Sequence, residues 1–311
     1  MLLLFVSSTL HVAAYAQTTM PAIEYQSLLN MRFYEDAGGF YVDGLQLVFP
    51  PEGVQGATFL VTKSSGERVV NLPLRAKPFI TFPVFTNLVP DGMPGTVKVG
   101  QAGNFVMSVE VGGNVITSLP FTLKEEKNND LFNPKKKFLR EGPWRELGFF
   151  SVPVDEANGY VSFSWWMSLR EMPTGADRPL CTVHIMQGGQ EIAASNVAVV
   201  PSSKDWQYFT RELLHPKNAG RRLDSSSGQY ATMRTLTKKD EELTIIIKAN
   251  GQPFKSFKAQ AKSGELQRLE QNRLEFEPHH EFISPRFIDV SSGSSSQYKM
   301  RDAYWVKKSQ Q

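Results

Sequence analysis

A single cysteine, Cys181, among 311 residues excludes an intramolecular disulfide framework and a zinc cage of the multi-cysteine kind. Other marks of chemistry are missing too. There is no Gly-x-Ser-x-Gly elbow, no phosphate-cradling Gly-Lys-Ser/Thr loop, no dinucleotide glycine fingerprint and no His-Glu-x-x-His pair. Past residue 20 no apolar run reaches the roughly 20 residues that span a bilayer, and no Asn-x-Ser/Thr acceptor occurs. Charge of one sign is scarce as well: the net value is +3, too small for a nucleic-acid footprint unless it gathers on one face. What is present is an ordinary globular composition, 41% hydrophobic and 21% charged, and enough chain for two domains.

Residues 1–16, MLLLFVSSTLHVAAYA, are apolar and end in Ala14-Tyr15-Ala16, the small-x-small pattern that a signal peptidase accepts. The expectation is a signal peptide over 1–16 and a secreted or periplasmic chain with no transmembrane segment once mature. No Lys or Arg precedes the apolar run, and the alternative is a buried N-terminal segment of the fold.

Up to Lys124 short alternating segments are separated by Gly, Pro and Asn. The clearest are Gly44 to Phe49, Ala57 to Thr62, Pro78 to Phe85, Gly95 to Val99, Asn104 to Val111 and Asn114 to Leu123. In Asn104 to Val111, Phe105, Met107, Val109 and Val111 share one face, the period-2 signature of a half-buried strand. Gly112-Gly113 reads as a tight hairpin turn. This pattern predicts an immunoglobulin-like β-sandwich over residues 20–124. A charged linker follows over 125–140, and its Lys135, Lys136 and Lys137 read as solvated charges.

The strand pattern resumes over 141–308 with more aromatic weight. Gly159 to Leu169 turns Val161, Phe163, Trp165, Met167 and Leu169 inward, and Ser162, Ser164, Trp166 and Ser168 outward. Further strands are expected at Leu180 to Met186, Glu191 to Val200, Trp206 to Leu214, Glu242 to Ala249 (with a hairpin at Asn250-Gly251) and Asp302 to Lys308. A short helix is expected within Gly264 to Glu277, and a loop at Ser291 to Ser296. The whole chain is therefore expected to be all-β, with two antiparallel sandwiches in series.

Three segments of this second half carry a family likeness. They are Tyr160-Val161-Ser162-Phe163-Ser164-Trp165, then Ser202 to Thr210 with Trp206 opening a strand, and Asp302-Ala303-Tyr304-Trp305-Val306. In their order they resemble the galactose-binding-like jelly rolls found as carbohydrate-binding modules. The resemblance implies a jelly-roll-like domain that binds and does not catalyse. The Gly-Phe-Glu element that helps hold a structural calcium in such domains has no clear counterpart here, so no cofactor is expected and a structural calcium is left as an unsupported alternative.

A sugar stacks its apolar C–H face on an exposed ring, so Trp166 is the first candidate for ligand binding. The alternatives are that it packs under a loop or against the first domain, or that a bulge passes its role to Trp165. Tyr304 and Trp305 cannot both be buried in one sandwich face, which makes one of them a second platform or an interdomain contact. Gln207 and Arg211 are the candidate donors to sugar hydroxyls. Adjacent His279-His280-Glu281 lack the spacing of a zinc site, His184 falls on a polar face, and Cys181 reads as a small buried hydrophobe. Asp155 and Glu156 read as turn residues. The expectation is an exported, non-catalytic protein that binds a glycan or cell-surface polymer. Alternatives are a structural or protein-interaction module that meets an envelope protein, and a β-sandwich hydrolase or lyase with carboxylates brought together by the fold.

Overall fold

The structure, a computed structural model, describes residues 28–42, 45–47, 56–78, 86–92, 95–126, 136–153, 159–172, 178–195, 198–218, 229–268, 286–291 and 297–309. The 1–16 segment, residues 79–85, Asp155, Glu156 and His279-His280-Glu281 lie outside the described residues. As the alternation predicts, nearly every described element is an antiparallel strand.

The first half contributes β1 (Arg32–Tyr34), β2 (Gly39–Tyr41), β3 (Leu45–Leu47), β4 (Ala57–Lys63), β5 (Arg68–Pro78), β6 (Thr86–Pro90), β7 (Thr96–Lys98), β8 (Gly103–Val111), β9 (Asn114–Glu126) and β10 (Lys137–Glu141). They form a seven-stranded sheet in the order β10-β9-β8-β4-β5-β6-β3 and a three-stranded sheet, β1-β2-β7. Phe105, Met107, Val109 and Val111 are buried, as their spacing requires. Gly112 and Gly113 take φ of +57° and +83°, which only glycine reaches without steric cost, and so turn β8 back into β9. The charged stretch expected as a linker is strand at both ends. β9 runs on to Glu126, and β10 pairs with it from Lys137↔Glu126 to Glu141↔Thr122.

The second half contributes β11 (Leu147–Pro153), β12 (Ser162–Met167), β13 (Cys181–Gln187), β14 (Gln190–Ser195), β15 (Gln207–Leu214), β16 (Glu242–Ala249), β17 (Gln252–Lys262), β18 (Glu265–Leu266), β19 (Arg286–Ser291) and β20 (Gln297–Lys308). Pairing of Phe257 with Lys308 and of Lys258 with Lys307 joins β17 to β20. Eight strands, in the order β17-β16-β13-β14-β15-β12-β11-β20, thereby close into a barrel. The second half, expected as a jelly-roll-like sandwich, is thus an antiparallel β body that closes on itself through these two residue pairs. The stretch from Gly264 begins otherwise than expected: Ser263 and Gly264 form a positive-φ turn and Glu265–Leu266 pairs back on β17, so its start is hairpin and not helix.

Two apolar clusters account for both halves. One fills the barrel with Phe150, Phe163, Trp165, Cys181, Val183, Ile245 and Phe257. The other fills the first half and continues onto the outer face of β11, β12 and β20, taking in Phe149, Trp166, Ala303 and Trp305. The two bodies therefore share one core across their junction. Arg140 crosses the same junction fully buried, with Nε 3.0 Å from Asp205 Oδ2 and Nη1 donating to the Met31 carbonyl at 2.9 Å. Its guanidinium also lies over the Phe33 and Trp144 rings.

Candidate functional site

Strict alternation sends Trp165 into the barrel and Trp166 out of it, and the structure keeps that alternation. What lies outside is not water. The outer face of β12 is covered by the first half, so Trp166 is 1% exposed and Trp305 4%, with their rings stacked at a centroid distance of 6.3 Å and an interplanar angle of 7°. Trp166 thus corrects the expectation of an exposed platform: of the alternatives, it takes the one that packs it against the first domain. Trp165 is sealed inside the barrel. Trp305 is likewise an interdomain contact, while Tyr304 is half-buried against the barrel core under the Arg268 guanidinium, 4.4 Å from its ring centroid.

The two candidate donors are engaged locally. Gln207 Oε1 accepts from the Ser202 and Ser203 backbone N–H groups at 2.7 and 3.1 Å, and its Nε2 donates to Ser202 Oγ at 3.2 Å. Arg211 donates to the Thr210 carbonyl at 2.8 Å. The five candidates are not brought together in a cleft.

A different set of residues is. At the seam between the two bodies, Glu141 at the end of β10, Arg145, Arg170, Glu171, Trp206, Phe254 and Lys255 on β17, and Lys308 at the end of β20 line a pocket of about 360 Å³. Single 3₁₀ turns present three of these charges. Pro143–Arg145 carries Arg145, and Leu169–Glu171 carries Arg170 and Glu171; Glu141 stands just ahead of the first turn. The Ser168 hydroxyl fixes the second turn by accepting from the Arg170 backbone N–H at 3.2 Å. Arg170 and Glu141 form an ion pair, and Trp206 Nε1 donates to the other oxygen of Glu141 at 3.2 Å.

Lys255 is the unusual member. Parity along β17 puts it on the inward face with Phe257 and Ala261, opposite Ile247, and it is 2% exposed. Its ammonium donates to the Trp166 carbonyl at 3.1 Å and to Glu171 Oε2 at 3.4 Å, and sits 5.2 Å from the Trp206 ring centroid. Burial pushes the Lys255 ammonium down to about 8, against the pull of Glu171. The same burial pushes the Glu171 carboxyl up, against the pull of Lys255. Four cations face two carboxylates, which leaves the lining with an excess of positive charge.

No protein-family model and no curated protein matches the chain. A solved structure of the paired C2 domains of extended-synaptotagmin 2 aligns over 100% of both chains at 10% identity and a TM-score of 0.15. That likeness carries no argument. The reading of the site therefore rests on its own geometry.

Elsewhere, His184 lies on the outer face of β13 as expected. Its Nδ1 is 2.6 Å from Glu191 Oε2 and its Nε2 2.9 Å from Thr182 Oγ1. The order is that of a hydroxyl–imidazole–carboxylate relay, but the strand is laddered to β14 and β16 on both sides, so its backbone N–H groups are spent on neighbours and not aimed at a reacting oxygen. Cys181 is buried, with its thiol pushed up to about 11 by burial, which suppresses the thiolate that a nucleophile needs. Among the described residues no group of three or more His, Cys, Asp or Glu is placed to hold a metal ion. Nor is any described helix long and apolar enough to cross a membrane.

Proposed function

We propose that the protein is an exported, non-catalytic binding protein that grips an anionic group of its ligand, such as the carboxylate of an acidic surface polymer, in the seam pocket. The observation that carries this is the buried Lys255 ammonium at the wall of a pocket whose cations outnumber its carboxylates. A cation held out of water is stabilised by any anion that enters beside it, and a partly desolvated site strengthens the attraction. The volume lies within the range of small-ligand sites. Export rests on the 1–16 segment and its Ala14-Tyr15-Ala16 end. Stacking of a neutral sugar on Trp166 finds no support, because that ring has no open face.

Calorimetric titration with oligogalacturonate, and with an uncharged oligosaccharide of equal length, tests the reading. The acidic chain is expected to bind and to weaken as salt rises. Lys308→Glu, a change at a half-exposed strand end, is expected to weaken it at least tenfold. Equal affinity for the neutral chain, or indifference to Lys308→Glu, would overturn it.

A second reading, a structural module of the cell envelope, is favoured by the burial of Trp166 and Trp305 between the bodies. Their shared core couples the two bodies stiffly, which suits a spacer. Absence of any acidic-ligand binding alongside pull-down of a defined envelope protein would favour it.

A further inference from the structure

The charged pocket has a neighbour. Ser64, Asn104, Phe105, Val106, Pro120, Phe121 and Thr122, together with Glu141, Gly142, Pro143, Arg145 and Glu146, line a second cavity of about 490 Å³ on the first half. Glu141 and Arg145 belong to both cavities, so the two meet along one short segment that includes the turn at Pro143. Their characters are opposite. The first is walled by ammonium, guanidinium and carboxylate groups. The second is floored by half-buried Val106 and Pro120 on the outer face of β8 and β9, with Pro143 beside them and polar Ser64, Asn104 and Thr122 among its lining; Phe105 and Phe121 lie beneath, their rings turned into the core.

We infer that the ligand is an amphiphilic carboxylate: its head enters the charged pocket beside Lys255 and its apolar arm lies along Val106, Pro120 and Pro143. This rests on the binding reading above and adds the second half of the ligand. Charge fixes the orientation. The groove is bordered by Glu141, Arg145 and Glu146, a net negative set, whereas the pocket is net positive, so an acid head is repelled from one end and attracted to the other. Arg145 stands between them, its Nε 3.9 Å from Glu171 and its side chain 62% exposed, which leaves it room to follow a head group inward. The apolar floor gains from water exclusion only when an arm long enough to reach it is attached.

The test is a homologous series, straight-chain carboxylates from butanoate to decanoate, each below its micelle-forming concentration, titrated into the full chain. Primary alcohols of the same lengths and oligogalacturonate serve as references. Each added methylene is expected to tighten binding roughly two- to fourfold until the groove is filled. Val106→Asp is expected to flatten the series while leaving oligogalacturonate unchanged, with Thr122→Glu as the substitute if that variant does not fold. Lys308→Glu is expected to weaken every carboxylate. A flat series with oligogalacturonate still bound overturns this inference and spares the binding reading. Failure of both acids to bind overturns both. Alcohols that bind as tightly as the acids overturn it as well, since the groove would then take apolar chains with no head in the pocket.

Discussion

At the scale of one residue, Lys255 sets the chemistry of the seam. Its folded value, about 8, lies below the ordinary 10.5 of a lysine. Between those two values the unfolded chain binds a proton that the folded chain has released, so stability rises with pH across that window. Below about 8 both states hold the proton and the folded state carries the full cost of the buried ammonium. Urea unfolding of the wild type and of Lys255→Met at pH 7.5 and 10.5 isolates this group. The difference between them is expected to move in favour of the wild type by roughly 3 kcal/mol from the lower pH to the higher. A difference that stays constant would mean an amine solvated like any surface lysine. The sequence did hold a signal for this residue. In Phe254-Lys255-Ser256-Phe257, the parity that buries Phe257 also buries Lys255, and a lysine on an inward parity is a charge in need of a partner. Its partner, Glu171, is 84 positions away and could be supplied only by the closed barrel.

At the scale of an element, the turn Pro143–Arg145 positions the residues shared by both cavities, and Gly142 just before it has no room to spare. A Cβ there would fall 1.8 Å from Trp144 Cζ3 and 2.2 Å from Cε3. The ring cannot retreat, being fully buried with its Nε1 donating to the Leu29 carbonyl at 2.7 Å. Gly142 is extended at φ −178°, so the demand for glycine here comes from packing and not from the backbone. Gly142→Ala is therefore expected to cost about 1–3 kcal/mol by overpacking, read in urea unfolding, and to weaken oligogalacturonate by shifting Glu141 and Arg145. Unchanged stability would show that Trp144 has a second seat. Strands of this kind were legible wherever two faces differ: β8 buries Phe105, Met107, Val109 and Val111 at alternate positions, and Asn250-Gly251, with φ of 49° and 81°, turns β16 into β17 as its sequence announces. β10 was hidden, because a strand at a sheet edge with a charged neighbourhood looks like linker until its pairing with β9 is seen.

At the scale of the whole molecule, one apolar cluster runs from Leu28 through the first sheet to Trp305 on the barrel's outer wall. Alternation told which way Trp166 points, but the direction of a side chain does not say what waits there, and only the docking of the two bodies decides between water and protein. Interdomain contacts are usually polar and permit relative motion. This one is aromatic, with Phe149 4.6 Å from Trp305 and the buried Arg140–Asp205 pair beside it. Separating the bodies would expose those rings to water, which is costly, and would break the Arg140–Asp205 pair. The two halves are accordingly expected to unfold as one unit, with far-ultraviolet circular dichroism and tryptophan emission following a single transition. Trp305→Ala, which opens a cavity in the seam, is expected to destabilise that transition by about 3–5 kcal/mol. It is also expected to split it in two as each half then melts alone. Two separate transitions in the unaltered chain would mean that the seam contributes little, and with it would go the rigid frame that holds Lys255 and the turn at Pro143 in register.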